Sequence, residues 1–207
     1  MKKKWFVLIA GLMVAMTLGG CALLDDFGSD IRQQWQGLPL TLQTYDYNAQ
    51  KIDEIKGKSL AISRDTQFDE KDEDGETTNE SKVMKITVGK HLMRHVGSSL
   101  ISYQDGLTNV MDEYPKKVKA IDDTRSVPFI NRFVHATKDN FSGSKYVILI
   151  RSQTGKPIAT FAGDHVRVSN TDVPSSTNLL IDGKRLFVYR CDYSIYEKNM
   201  LNNDSED

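Results

Sequence analysis

Few side chains in this sequence could do chemistry, and they are scattered. There are two cysteines, Cys21 and Cys191, and four histidines, His91, His95, His135 and His165. A thiol drawn toward thiolate by a neighbouring imidazole is the simplest nucleophile such a set could offer. Cys191, however, lies in Arg185-Leu186-Phe187-Val188-Tyr189-Arg190-Cys191-Asp192-Tyr193. Alternation there predicts Phe187, Tyr189, Cys191 and Tyr193 on one strand face, the setting of a cysteine used as a small buried hydrophobe. Asp164-His165 sets a carboxylate beside an imidazole, but a polar pair after Gly163 is ordinary composition for a turn entering a strand. In Gly97-Ser98-Ser99-Leu100-Ile101 the second glycine of a nucleophile elbow is replaced by Ile101. Gly57-Lys58-Ser59 ends like a phosphate-binding loop, yet Ile52 stands where that loop needs its first glycine.

Metal chemistry finds equally thin material. His91 and His95 would share a helix face, but Leu92-Met93-Arg94 between them lacks the glutamate of a zinc protease motif. On a strand they would share a face and stand too far apart to chelate easily. Glu70-Lys71-Asp72-Glu73-Asp74-Gly75 echoes a calcium loop in its alternate carboxylates and central glycine, but Ser81 occupies the twelfth position, which should carry a bidentate glutamate. These residues read as exposed histidines and a solvated acidic loop. No catalytic, cofactor-binding or metal-ligating set emerges.

The N-terminus carries the clearest signal. Lys2, Lys3 and Lys4 precede an uncharged apolar run from Trp5 to Leu18. That run is shorter than the roughly 20 residues a spanning helix needs, and has the layout of a signal peptide. Leu18-Gly19-Gly20-Cys21 resembles a lipobox, in which a diacylglycerol thioether forms on the cysteine and a peptidase cuts before it. The expectation is a leader at 1–20 and a lipidated Cys21, holding the chain at the extracytoplasmic face of the cell membrane. Two acyl chains, at about 0.8 kcal/mol per buried CH₂, make a lasting anchor.

Composition narrows the partners. Removing the three leader lysines from the 27 basic residues leaves 24 against 28 acidic ones, a net of about −4. Nucleic-acid binding requires clustered positive charge, and the densest clusters, Lys116-Lys117-Val118-Lys119 and Lys184-Arg185, are short. Nucleic acid is therefore not an expected partner. With Cys21 lipidated, Cys191 has no intrachain disulfide partner, and the fold must rest on its core and hydrogen bonds.

The elements that must position these residues are mostly strands. The polar stretch 21–36 reads as a tether, 37–198 as a single β-rich domain and 199–207 as a disordered tail. Leu40, Leu42 and Thr44, then Ile52 and Ile55, then Leu60 and Ile62 predict three short strands, separated by Asn48-Ala49-Gln50 and by Gly57. Asp69 to Glu80 has seven acidic residues and no apolar side chain, which predicts a mobile surface loop. A β pattern resumes at Val83 to Val88, and Lys90 to Tyr103 reads as strand. Ser126 as N-cap, Pro128, and Phe129, Ile130, Phe133 and Val134 on one face predict a helix. Lys145 to Arg151, Pro157 to Ala162 and His165 to Val168 read as strands. Leu179 to Ile181 and Lys184 to Tyr193 flank Asp182-Gly183, a hairpin turn pair.

Two segments echo each other. Asp46 to Ser63 can be laid without gaps on Ser152 to Ser169, 106 residues on, matching Ile52 with Ile158 and Gly57 with Gly163. Farther along, Ile86, Gly89, Lys90, Leu92 and Ile101 fall on Leu180, Gly183, Lys184, Leu186 and Ile195 at a shift of 94, as though the first copy had gained the 12-residue acidic loop. The expected fold class is mainly β, or α+β. It comprises small antiparallel barrel or sandwich units, about 40–103 and 146–196, related by internal duplication with one short helix between them.

Thr44-Tyr45-Asp46, Ser152-Gln153-Thr154-Gly155-Lys156-Pro157-Ile158 and Asp182-Gly183-Lys184-Arg185-Leu186-Phe187-Val188-Tyr189-Arg190 resemble a family of uncharacterised Gram-positive lipoproteins, catalogued as a domain of unknown function. The resemblance implies the anchor and the cell type, and carries no activity onto any residue. Two function classes stand. One is a non-catalytic envelope module contacting an envelope protein, glycan or wall polymer. The other is an envelope hydrolase assembled only in three dimensions, with Asp164 and His165 or Cys191 as its parts.

Overall fold

The computed structural model describes residues 31, 35–113 and 129–201. The expected leader with Cys21, the basic cluster at 116–119, and the expected Ser126 cap with Pro128 lie outside them. Among the described residues the chain runs β1 (Pro39–Tyr45), β2 (Lys51–Lys58), β3 (Leu60–Arg64), β4 (Glu70–Lys71), β5 (Thr77–Asn79), β6 (Met84–Val88), β7 (His91–His95) and β8 (Ser99–Gln104). Two α-helices follow among the described residues, α1 (Val110–Glu113) and α2 (Phe129–Ala136). The second half is β9 (Tyr146–Arg151), β10 (Pro157–Gly163), β11 (Val166–Ser169), β12 (Ser176–Ile181), β13 (Lys184–Tyr189) and β14 (Asp192–Glu197).

The central layer is a six-stranded antiparallel sheet ordered β11-β12-β13-β8-β1-β2. Successive side chains on a strand point to opposite faces, and both faces of this sheet are apolar. Leu40, Leu42, Leu100, Phe187 and Tyr189 face the sheet β3-β6-β7, packing on Leu60, Ile62, Met84 and Ile86. Ile101, Leu179, Leu186 and Val188 face the sheet β10-β9-β14, packing on Ile148, Ile150, Ala159 and Phe161. On that sheet's other side Val147 and Leu149 pack against Ile130, Phe133 and Val134 of α2. Open sheets are stacked face to face, so the units are sandwiches, not closed barrels. Ile31 and Trp35, within the stretch read as tether, are buried in the first core, and Leu201, in the stretch read as tail, is buried against α2.

The two halves repeat one topology. In the first, β2-β1-β8 packs on β3-β6-β7; in the second, β10-β9-β14 packs on β11-β12-β13. The registers agree residue by residue. Leu40 pairs with Gly57 as Tyr146 pairs with Gly163, and each hairpin slips once, leaving Ile52 and Ile158 as the extra residues. Leu60 pairs with Val88 as Val166 pairs with Ile181. Met84 pairs with His95 as Thr177 pairs with Val188. Leu40 pairs with Gln104 as Tyr146 pairs with Glu197. Matching positions are 106 apart before the acidic segment and 93 apart after it. The shift of 94 is thus corrected by one residue, since a one-residue slip would turn every inward side chain outward.

Close approach explains one repeated glycine. A Cβ on Gly57 would lie 2.4 Å from Val88 Cγ1, and one on Gly163 would lie 2.6 Å from Ile181 Cγ2. Val88 and Ile181 are equivalent positions, so each copy bends its long strand over the same β-branched side chain.

Other expectations are corrected locally. Gly57 lies inside β2, and the break from β3 falls at Ser59, whose φ is 63°. Asp69 to Glu80 folds as the small β4–β5 hairpin, its turn braced by Asp72 Oδ1 accepting from the Asp74 and Glu76 amides at 3.1 and 2.8 Å. The Lys184-to-Tyr193 strand divides at Arg190, φ 49°, so Phe187 and Tyr189 enter the first core while Cys191 and Tyr193 pack against the second.

Candidate functional site

The sequence-selected residues are not brought together. Cys191 Sγ lies 3.2 Å from the Tyr189 carbonyl and 3.8 Å from the Leu100 carbonyl, to which a thiol donates. Burial pushes that thiol up to about 12, away from nucleophilic use at neutral pH. His165 is exposed, its Nδ1 3.6 Å from Asp182 Oδ1. The Asp182 carboxylate is already occupied: Oδ1 accepts from the Asp164 amide at 3.0 Å and the His165 amide at 2.8 Å. Burial would raise its pKa, but these backbone donors outweigh that and hold it below the ordinary value. Asp164 in turn accepts from the Lys145 amide at 3.0 Å. The group is a turn brace.

His91 and His95 sit four residues apart on β7, about 13 Å along an extended chain. His95 stacks edge-on with Tyr189, ring centroids 6.0 Å apart. Its Nε2 is 3.0 Å from the Ser98 carbonyl and 3.4 Å from Ser98 Oγ. A ring nitrogen donating to that carbonyl cannot also accept the serine proton, so the pair is no nucleophile and base. Among the described residues no group of three His, Cys, Asp or Glu side chains could hold a metal ion.

A polar cluster that the sequence reading missed lies on the inner face of β1. Gln43 is fully buried, donates Nε2 to Glu54 Oε2 at 3.0 Å and Asp112 Oδ2 at 2.8 Å, and accepts the Tyr45 hydroxyl at 2.7 Å. Lys51 bridges the same carboxylates at 2.7 and 3.1 Å. Asn109 donates to Asp112 and accepts the Thr160 amide at 3.1 Å, tying β1 and β2 to α1 and β10. Burial, aided by Asp112, drives the Tyr45 hydroxyl well above the usual tyrosine range. Hydrogen bonds from Lys51 and Gln43 hold Glu54 below its ordinary value. With its donors and acceptors mutually paired, the cluster acts as a clamp between the two units. Its sequence signal was Gln43 lying between Leu42 and Thr44 on a strand buried on both faces.

A cleft of about 310 Å³ with room for a ligand lies at the junction of the two units. One wall is Glu80 to Met84 and the other Val173 to Ser175, with Arg64, Tyr189 and Arg190 closing it. Lys82 and Ser175 are equivalent positions, so the same connection from each copy supplies a wall. Ser175 and Arg190 both have left-handed backbones, φ 60° and 49°, and the Arg190 amide donates to the Ser175 carbonyl at 2.9 Å. Left-handed non-glycine residues carry strain that recurs at binding sites. Arg64 pairs with Asp69 and Glu80, and the Arg190 guanidinium holds Gln153 at 2.7 Å. Neither Lys82 nor Arg190 makes an ion pair among the described residues, leaving two uncompensated cations in a cleft whose walls include the buried Met84 and Val173. Neither His165 nor Cys191 lines this cleft.

Residues 3–201 match the family described as Domain of unknown function (DUF5052). The chain belongs to the DUF5052 family. The matched span of this DUF5052 chain takes in both copies, the helix between them, and the apolar run from Trp5 to Leu18 with Cys21. No curated protein and no solved structure matches it.

Proposed function

We infer that this DUF5052 protein is a lipid-anchored module on the extracytoplasmic face of the cell membrane. It binds an envelope protein, glycan or wall polymer without performing chemistry of its own. The observation that carries the reading is Leu18-Gly19-Gly20-Cys21 behind a lysine-headed apolar leader, inside the same family span as the β-sandwich. That shared span supports reading the proposed anchor and the fold as parts of one unit. Support for binding comes from the inter-unit cleft, which has the cations Lys82 and Arg190, hydroxyls from Ser81 and Ser175, and the apolar Met84 and Val173. That mixture suits a chain carrying carboxylates. Against the hydrolase alternative stand the protonated Cys191 thiol and the turn-bracing role of Asp182 beside His165.

The test places a photo-crosslinking residue at Lys82 in the full-length protein on intact cells. A control carries it at Lys56, whose side chain is 74% exposed on β2. Adducts particular to position 82 are expected. The same adducts at both positions, or none at 82, would remove the cleft from the account.

A further inference from the structure

The duplication predicts a second use of an existing seam. Within the chain, β13 of the second unit pairs antiparallel with β8 of the first, Leu186 to Tyr103 through Tyr189 to Leu100, joining two three-stranded sheets into six. The equivalents of these strands are β7 for β13 and β14 for β8. Each is the outer strand of its sheet, and among the described residues no further strand pairs with either. They cannot meet within one molecule, because β7 belongs to the layer on one side of the central sheet and β14 to the layer on the other.

Their side chains fit edges awaiting cover. Leu186 to Tyr189 are buried at the internal seam, whereas Leu92 on β7 is 50% exposed and Val96, just past the end of β7, is 58% exposed. Tyr193, Ile195 and Tyr196 of β14 are only half buried. An open strand edge presents unpaired backbone donors and acceptors that template another strand, and here the two free edges are the equivalents of the two strands that pair at the internal seam. We propose that β7 of one copy pairs antiparallel with β14 of a second copy, reproducing the internal seam between chains. Carried over by the 93-residue equivalence, the register sets Met93 opposite Tyr196, Arg94 opposite Ile195, His95 opposite Ser194 and Val96 opposite Tyr193. Such a contact uses different surfaces on the two partners and leaves a free edge at each end, so it propagates head to tail.

Mixtures of full-length variants, each with one added cysteine, test this. Val96→Cys is combined with Tyr193→Cys, and separately Leu92→Cys with Glu197→Cys, the latter at two exposed positions next along the same register. Oxidised mixtures are read on non-reducing gels against the unsubstituted chain, and melting curves check that each variant folds. A several-fold excess of the mixed dimer over either homodimer is expected in both pairs. Homodimers in excess would mean a symmetric contact. Absence of the mixed dimer from both pairs, with folding intact, would mean the edges do not meet. Either result overturns the proposal.

Discussion

Gly57 and Gly163 offer the sharpest perturbation of the repeated fold. Neither has a left-handed φ, so alanine fits the backbone and the substitution reports on space alone. At Gly57 the new Cβ would lie 2.4 Å from Val88 Cγ1, against about 3.5–4.0 Å for a comfortable carbon contact. Val88 is nearly buried and, being β-branched, cannot readily rotate away. Overpacking of this kind costs about 1–3 kcal/mol, offset by about 0.4–1 kcal/mol from a less flexible unfolded chain. A net loss of about 1–2 kcal/mol corresponds to a Tm lower by about 2–8 °C for a domain this size. Gly163→Ala should cost more, because Asp182 Oδ2 also stands 2.6 Å from the new Cβ and that carboxylate braces two amides. The decisive variant is Gly57→Ala combined with Val88→Ala. Removing Cγ1 frees the space, so the double variant should lose at least about 1 kcal/mol less than the two singles together. Thermal and urea unfolding of the three proteins reads this. A neutral Gly57→Ala, or strictly additive losses, would refute the close approach as the reason for glycine.

Gln43→Leu should cost about 1–3 kcal/mol by urea unfolding, since it leaves the Tyr45 hydroxyl buried without its acceptor; an unchanged midpoint would show the clamp to be idle. Glu54 has a lowered pKa in the folded state, so its stabilising contribution is complete above the ordinary carboxylate pKa of about 4.3 and disappears as pH falls through the lower folded value. Glu54→Gln should therefore flatten the acid limb of a stability–pH curve and leave its alkaline limb unchanged. Cys191, with its thiol pushed up to about 12, should alkylate about a thousandfold more slowly in the native protein than in denaturant at pH 8. Labelling followed at the Cys191 peptide measures the ratio, and equal rates would contradict the burial.

What could be seen in advance depended on whether a position carried its own chemical mark. Asp182-Gly183 did: both residues have left-handed φ, 47° and 77°, as a two-residue hairpin turn needs. Ser59 and Arg190 also have left-handed backbones, yet neither residue type advertises it, so the strand breaks there were placed at Gly57 or missed. The same blindness moved the repeat by one residue. Gly89 invited alignment with Gly183, whereas its structural equivalent is Asp182: the Gly89 amide bonds the Ser59 carbonyl as the Asp182 amide bonds that of His165. The acidic segment looked structureless because a hairpin held by backbone pairing and Asp72 needs no apolar face. The cleft was invisible because Arg64, Lys82, Ser175 and Arg190 are remote in sequence, and only the packing of one copy against the other assembles it.

The functional account stands on Cys21, and the mass of the mature protein's N-terminal peptide tests it most directly. The account predicts a chain beginning at Cys21 and carrying a diacylglyceryl group, with Cys21→Ser leaving the leader uncut and the lipid absent. A chain retaining Met1, or one cut elsewhere with an unmodified Cys21, would contradict it.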